Sequence, residues 1–331
     1  MPVRHIYKGV IAISAIVTLT MSPSVDLFGV TERLLEESKT RCRETARQPG
    51  GGGINVARTL HRLGADVLAV FTCGGANGEL LERMLRDEGV ACLGIPVDTD
   101  MRQNLALTVT DTGTMYHFVF PALELKEPAL QLCMDTITSM KPVPEFLVLS
   151  GSLPLSAPTD FYGRITRAAN ANNVKVVLDV SGTALQAPLD EGVYLAKLNR
   201  KEFLQLGYDG PDEPDAQLDA MEEMVAKGCA DILVVTLGPK GALLTSRFGD
   251  RAALTPPPTD IVSHVGAGDS FVALMTYHLY RGEPVYDAFR YGVSAATAAV
   301  KTSGNHIEDL STVDEINRQL SSHPHRRPTG V

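Results

Sequence analysis

The sequence predicts an α/β protein: a three-layer α/β/α fold with a mainly parallel central sheet and a small β-sheet lid. Three observations predict it. Strand-like and helix-like runs alternate along the chain, as they do when crossovers connect parallel strands. The strand-like runs are short and apolar throughout, as expected when helices cover both faces of a sheet. Two stretches, about 25–47 and 92–120, break this rhythm with polar and hairpin-like patterns.

Taken in order, "IVTLTM" (16–21) is β-branched and reads as a buried first strand. The longer "GVIAISAIVTLTM" follows Arg4 and Lys8 and looks superficially like a leader. It is too short to cross a bilayer and no cleavage pattern precedes "SPSVDLFG". Residues 1–12 read as an extension. The charged stretch 25–47 is the first part of the lid. "QPGGGGINVARTLHRLG" (48–64) passes from a glycine loop into a helix with Ile54, Ala57 and Leu60 on one side. "ADVLAVFT" is a strand and "GELLERMLRDEG" a helix. "NLALTVTDTGTMYHFVF" is a hairpin turning at Asp111–Gly113, and it completes the lid. "EFLVLSG" precedes the helical "APTDFYGRITRAANAN". "VKVVLDVSG", "VYLAKLN" and "DILVVTLG" are further strands. "TPPPTD" is a rigid loop that leads into "SHVGAGDSF" (263–271) and a last apolar helical run. No internal repeat or low-complexity segment interrupts this order. Ligands of such a sheet bind at the carboxyl ends of its strands.

The 331 residues carry a net charge of −9. That balance argues against a broad nucleic-acid or anionic-membrane surface, though a few cations in one pocket would still accept a small anion. The five cysteines are scattered and never in C-x-x-C spacing, which fits reduced thiols in the cytoplasm better than a disulfide framework. The eight histidines show no zinc-ligand spacing, and "HPHRRP" near the C-terminus reads as a frayed tail.

Two glycine-rich segments carry the chemistry. In "VGAGDSF", small residues lead into a helix whose first turn offers unpaired N–H groups and the positive dipole end. Taken alone, the segment is equally an ordinary helix start with Asp269 in the first turn. "GGGGINVAR" matches neither a dinucleotide fingerprint nor a Walker loop. Its glycines would let a ligand lie against backbone, or would make a flexible hinge.

Together the two segments resemble the ribokinase-like, or PfkB, carbohydrate kinases. The likeness runs over about residues 15–310. "TLTMSPSVD" (18–26), "MRQN" (101–104), "LVLSGSLP" (147–154), "LDVSG" (178–182), "KLNRKE" (197–202) and "TLGPKGALL" (236–244) follow in family order. "GGGGINVAR", "SKTRCRE" (38–44) and the lid hairpin are most similar to the branch of minor bacterial 6-phosphofructokinases.

The resemblance implies one kinase domain over 1–331 that phosphorylates fructose 6-phosphate from ATP. It makes Asp269 the general base, with Gly266, Ala267 and Gly268 as the anion hole. Substrate contacts would come from Asp26, Gly51, Gly52, Gly53, Asn55 and Ser152, with Arg102, Lys39 and Arg41 for the phosphate. Asp26 also reads as a turn residue, and Lys39 and Arg41 as solvated charges. Lys197, Asn199, Thr236, Gly238, Gly241 and Thr297 would contact ATP. Asn199 and Glu202 would position Mg²⁺, although Glu202 also suits a helix start. A K⁺ site would use Ser263, Val265, Ala299, Thr302 and Gly304. A homodimer pairing through the lid strands is expected.

Several positions depart from the family pattern. "FPALEL" (120–125) lacks a glycine after proline, "SLPLSAP" replaces "SLPPG", "KLN" replaces "KPN", and His264 stands where relatives often have Thr. Within the family, a tagatose-6-phosphate kinase or a 1-phosphofructokinase is the alternative. Outside it stand a non-catalytic sugar-phosphate sensor, which would not need Asp269, and a nicotinamide oxidoreductase, which would need a G-x-G-x-x-G after a strand.

Overall fold

The structure is a computed structural model, and it describes residues 15–121, 124–302, 304, 307 and 309–321. The extension at 1–12 and the histidine-containing tail lie outside the described residues.

The chain opens with β1 (Ile16–Thr20), fully buried, and passes into β2 (Ser24–Thr31) and β3 (Arg43–Gly50). Helix α1 (Gly52–Arg62) leads to β4 (Val67–Cys73), α2 (Gly75–Asp87) and β5 (Ala91–Pro96). The hairpin is β6 (Gln103–Val109) and β7 (Thr114–Phe118), with Gly113 at φ 65° in the turn. Then come α3 (Glu127–Thr138), β8 (Phe146–Ser150), α4 (Phe161–Asn170), β9 (Lys175–Asp179) and the short α5 (Gln186–Asp190). The second half runs β10 (Val193–Asn199), α6 (Arg200–Gln205), α7 (Pro214–Ala226), β11 (Ala230–Thr236), β12 (Ala242–Ser246) and β13 (Arg251–Leu254). Three helices close the chain: α8 (Ala267–Tyr280), α9 (Val285–Ala299) and α10 (Ser311–Ser321).

Nine strands form the large sheet, in the order β13-β12-β11-β10-β9-β8-β1-β4-β5. From β11 to β5 every pairing is parallel; the β11–β12 and β12–β13 pairings are antiparallel, so β12 alone runs against the rest. Its apolar strands are buried on both faces, which explains their continuous rather than alternating patterns. The mainly parallel sheet with a separate small sheet agrees with the fold class read from the sequence.

The small sheet has the order β3-β2-β6-β7. Its lower boundary needs correction. Residues 92–96 pair in parallel with β4 and belong to the large sheet, so this sheet begins its second part at Gln103. The hairpin does not stand alone either: β6 runs parallel to β2, with Asp26 opposite Asn104.

Candidate active site

The carboxyl ends of β8, β9 and β10 converge below the small sheet, where they line a cavity of about 730 Å³. Ser24, Asp26, Asn104, Met115 and His117 roof it from the lid, and Gly51, Gly52, Asn55 and Gly266 to Asp269, except Ala267, enter from the two glycine loops.

Helices α1 and α8 pack against each other, and this joins the two loops. Asn55 Nδ2 donates to Asp269 Oδ2 at 2.8 Å, across 214 residues of sequence. Gly266 caps α8 in the left-handed region at φ 78°, a conformation that favours glycine. Gly52 leaves room for Ser150 and Asp269. A Cβ there would overlap the Ser150 hydroxyl and stand 3.1 Å from Asp269 Oδ1.

Burial pushes the Asp269 carboxyl up to about 7, and the Asp179 carboxylate adds to the rise; Asn55 and Lys197 act against it. Lys197 Nζ donates to Asp179 Oδ1 at 2.8 Å, with both side chains nearly buried. Burial alone would lower the Lys197 ammonium. The Asp179 charge and hydrogen bond, with Glu202 and Asp269 behind them, raise it instead. A carboxyl poised near neutrality beside backbone donors can accept a proton from an alcohol while charge builds on a neighbouring oxyanion.

On the lid side, Ser24 Oγ and Asn104 Nδ2 both donate to Asp26 Oδ1, at 2.7 and 3.0 Å. Asp26 is therefore held in place, with 6% of the residue exposed toward the cavity. Arg102 lines the same cavity, and its two terminal nitrogens donate to the carbonyls of Phe120 and Ser22 at 3.1 and 3.0 Å. Its buried Nε has no partner. Burial lowers the guanidinium while Asp26 opposes the shift.

A second cavity, of about 360 Å³, lies on the other side of the α8 loop. Thr236, Gly238, Gly241, Ala267 and Thr297 line it, together with Pro256–Pro258 of the rigid loop. Phe271, Val293 and Ala296 make its floor apolar, which suits a flat aromatic base. Gly268 lines both cavities.

Other expected residues sit elsewhere. Lys197 lines the first cavity rather than the second. Ser152 lines neither; Ser150, two residues earlier at the end of β8, does. Gly53 turns inward and packs against β1. Lys39 and Arg41 are exposed on the connection between β2 and β3, outside the cavity lining. Asn199 also lines neither cavity, and it caps α6. Its Oδ1 accepts from Glu202 N at 2.9 Å, and Glu202 Oε2 accepts from Asn199 N at 2.7 Å. Glu202 still lines the first cavity, and burial raises its carboxyl despite the Asn199 hydrogen bond.

The potassium candidates come together as two adjoining loops. Val262 N and Ser263 N both donate to Val300 O, and Thr302 Oγ1 donates to Ala299 O. Gly304 is buried beside them in sequence. Asp179, Ser150, Ser24, Asn104, Met115 and His117 were not singled out from the sequence. For Asp179 and Ser150, position at a strand's carboxyl end was the available signal.

The chain is similar to known proteins over most of its length. The family model described as "pfkB family carbohydrate kinase" matches residues 15–312. The ATP-dependent 6-phosphofructokinase isozyme 2 of Escherichia coli (strain K12) is 36% identical over 307 residues, covering 92% of this chain and 99% of the relative. The isozyme 2 of Mycobacterium tuberculosis (strain ATCC 25618 / H37Rv) is 36% identical over 290 residues, covering 87% and 85%. The crystal structure of phosphofructokinase-2 from Escherichia coli in complex with potassium superposes with a TM-score of 0.88 at 36% identity, covering 93% and 99%. With two glycine loops joined through Asn55 and Asp269 and a family match over most of its length, the chain belongs to the pfkB family of carbohydrate kinases.

Proposed function

We propose that this kinase transfers the terminal phosphoryl group of ATP to fructose 6-phosphate, giving fructose 1,6-bisphosphate and ADP. The observation that carries the reading is Asp269, held by Asn55 and raised to about 7, beside the α8 loop where two cavities meet. The names of the 36%-identical relatives support the acceptor.

The acceptor alcohol gives its proton to Asp269 Oδ1, the oxygen that Asn55 does not hold. A bond forms between the alcohol oxygen and the γ-phosphorus, and the bond to the β,γ-bridging oxygen breaks with its electron pair on ADP. The N–H groups at the start of α8 face the charge that develops on the phosphoryl oxygens. Asp26, fixed by Ser24 and Asn104, accepts from the sugar hydroxyls, and Arg102 meets the sugar phosphate.

Glu202 would carry the Mg²⁺ of MgATP, with Asn199 fixing Glu202 through the cap. Among the described residues no group of three or more His, Cys, Asp or Glu side chains could hold a metal ion. This suits magnesium, which keeps several waters and takes few protein ligands. When bound, it supplies charge neutralisation on the phosphates. A K⁺ ion would sit at Ser263, Val265, Ala299, Thr302 and Gly304, where the bonds from Val262 N and Ser263 N to Val300 O bring the two segments together.

We read the chain as one kinase domain with its lid. The lid's outer face supports a homodimer. Tyr116 and Phe118 stack at 6.4 Å and are 40% and 44% exposed, opposite Leu107 and Leu105 in register. Such a dimer would also bury the edge strands β3 and β7. No helix among the described residues is long and apolar enough to cross a membrane. All five cysteines are free, which fits the reading of a cytoplasmic enzyme. Phosphorus NMR of the product tests the transfer: a new ester on C1 of fructose 6-phosphate, formed with equimolar ADP, is the expected result, and ADP without an ester would refute it.

A further inference from the structure

The two cavities share three residues, Ile261, His264 and Gly268. A phosphoryl group moving from nucleotide to acceptor must pass between them. Only His264 brings a side-chain hydrogen-bond donor to this junction, and a neutral imidazole always keeps one N–H. The residue is exposed, and its ring makes no hydrogen bond among the described residues.

Its backbone, by contrast, is pinned on both sides. Val262 N and Ser263 N donate to Val300 O at 2.8 and 3.2 Å, and Val265 N donates to Ser263 Oγ at 3.1 Å. Ser263 is buried and touches the lid, with its Oγ 3.6 Å from Met115 Sδ. The backbone on either side of His264 is fixed, and its imidazole N–H is uncommitted.

The charge balance of the first cavity calls for such a donor. Four carboxylates line it: Asp26, Asp179, Glu202 and Asp269. Its two cations are committed elsewhere, Lys197 to Asp179 and Arg102 to two backbone carbonyls and, in the reading above, to the acceptor's own phosphate. An arriving phosphoryl group therefore meets mostly negative charge and needs uncommitted N–H groups.

We propose that His264 is a phosphoryl-contacting residue, its imidazole N–H donating to an oxygen of the nucleotide's terminal phosphoryl group. The inference rests on the kinase reading above. The bonds made and broken in the transfer are unchanged, and His264 neither gains nor loses a proton.

The test is the binding of two nucleotides to the full chain by titration calorimetry with Mg²⁺: a β,γ-imido analogue of ATP, and ADP. His264→Ala should weaken the imido analogue about tenfold or more while ADP stays within about twofold, as expected for one hydrogen bond to a charged group. His264→Gln, which keeps a neutral donor, should recover part of the loss. Melting temperatures should stay at the wild-type value, because the side chain is exposed. Unchanged binding of both nucleotides, or equal weakening of both, would overturn the proposal. If the wild type bound neither nucleotide, the kinase reading itself would fall.

Discussion

Replacing Asp269 by Asn should make the protein nearly inactive and more stable at once. The amide keeps the shape and can still accept from Asn55, but it cannot take the acceptor's proton. Turnover should fall about 10²–10⁴-fold, the usual contribution of a general base. The stability effect follows from burial. The Asp269 carboxyl is raised from 3.8 to about 7 in the folded protein. A rise of about three, at roughly 1.36 kcal/mol for each whole step, caps the cost of the ionised group at about 4 kcal/mol. The residue is only half-buried, so water recovers part of this, and we expect about 1–3 kcal/mol. The sign depends on pH. Below about 4 the carboxyl is protonated in both folded and unfolded chains, and there is no penalty. Between about 4 and 7 the unfolded chain ionises first, so the penalty grows, and above 7 it is fully present. The assay is thermal unfolding of wild type and Asp269→Asn at pH 8 and pH 5. At pH 8 the variant should melt higher by several degrees, at on the order of 2 °C per kcal/mol for a chain of this length. At pH 5 the gap should shrink. A variant less stable at pH 8, a gap independent of pH, or near-normal turnover would refute the reasoning.

The same network supports other expectations. Asn55→Ala removes a hydrogen bond that lowers the Asp269 carboxyl, so the acidic limb of kcat/KM for the sugar should move to higher pH; a limb that stays put or moves down contradicts the role. Glu202→Gln should raise the Mg²⁺ concentration needed for half-maximal rate more than it changes sugar affinity. Its stability should stay within about 1 kcal/mol, because the amide oxygen can still accept from Asn199 N. An unchanged magnesium dependence would leave Glu202 as a helix cap alone. Arg102→Ala should raise KM for fructose 6-phosphate about 10- to 150-fold with ATP parameters nearly intact. An effect confined to ATP would remove Arg102 from the sugar side.

What the sequence made legible was whatever short-range chemistry constrains. "GGGGINVAR" and "VGAGDSF" stand out because only small residues permit a left-handed cap at Gly266 and the close approach at Gly52. Strands β1, β8 and β10 stand out because burial on both faces makes them mainly apolar. Long-range register could not be read. Nothing in "SVD" or "RQN" shows that β2 and β6 pair in parallel and bring Asn104 onto Asp26. The same limit hid the placement of residues 92–96 in the large sheet, since an apolar run does not name its partner strand. Ser150 and Ser152 differ only in where β8 ends, and charge alone does not show that Lys39 and Arg41 lie outside the cavity lining. Asp179 read as a strand end, and its role emerged only with Lys197 beside it.

The most direct measurement is kcat/KM at saturating MgATP for fructose 6-phosphate, fructose 1-phosphate, tagatose 6-phosphate and free fructose, followed by ADP release. Fructose 6-phosphate should be preferred, exceeding free fructose by at least about tenfold, the contribution expected of one charge-assisted contact to its phosphate. A higher value for fructose 1-phosphate, tagatose 6-phosphate or free fructose, or no turnover of any of the four, would contradict the assignment.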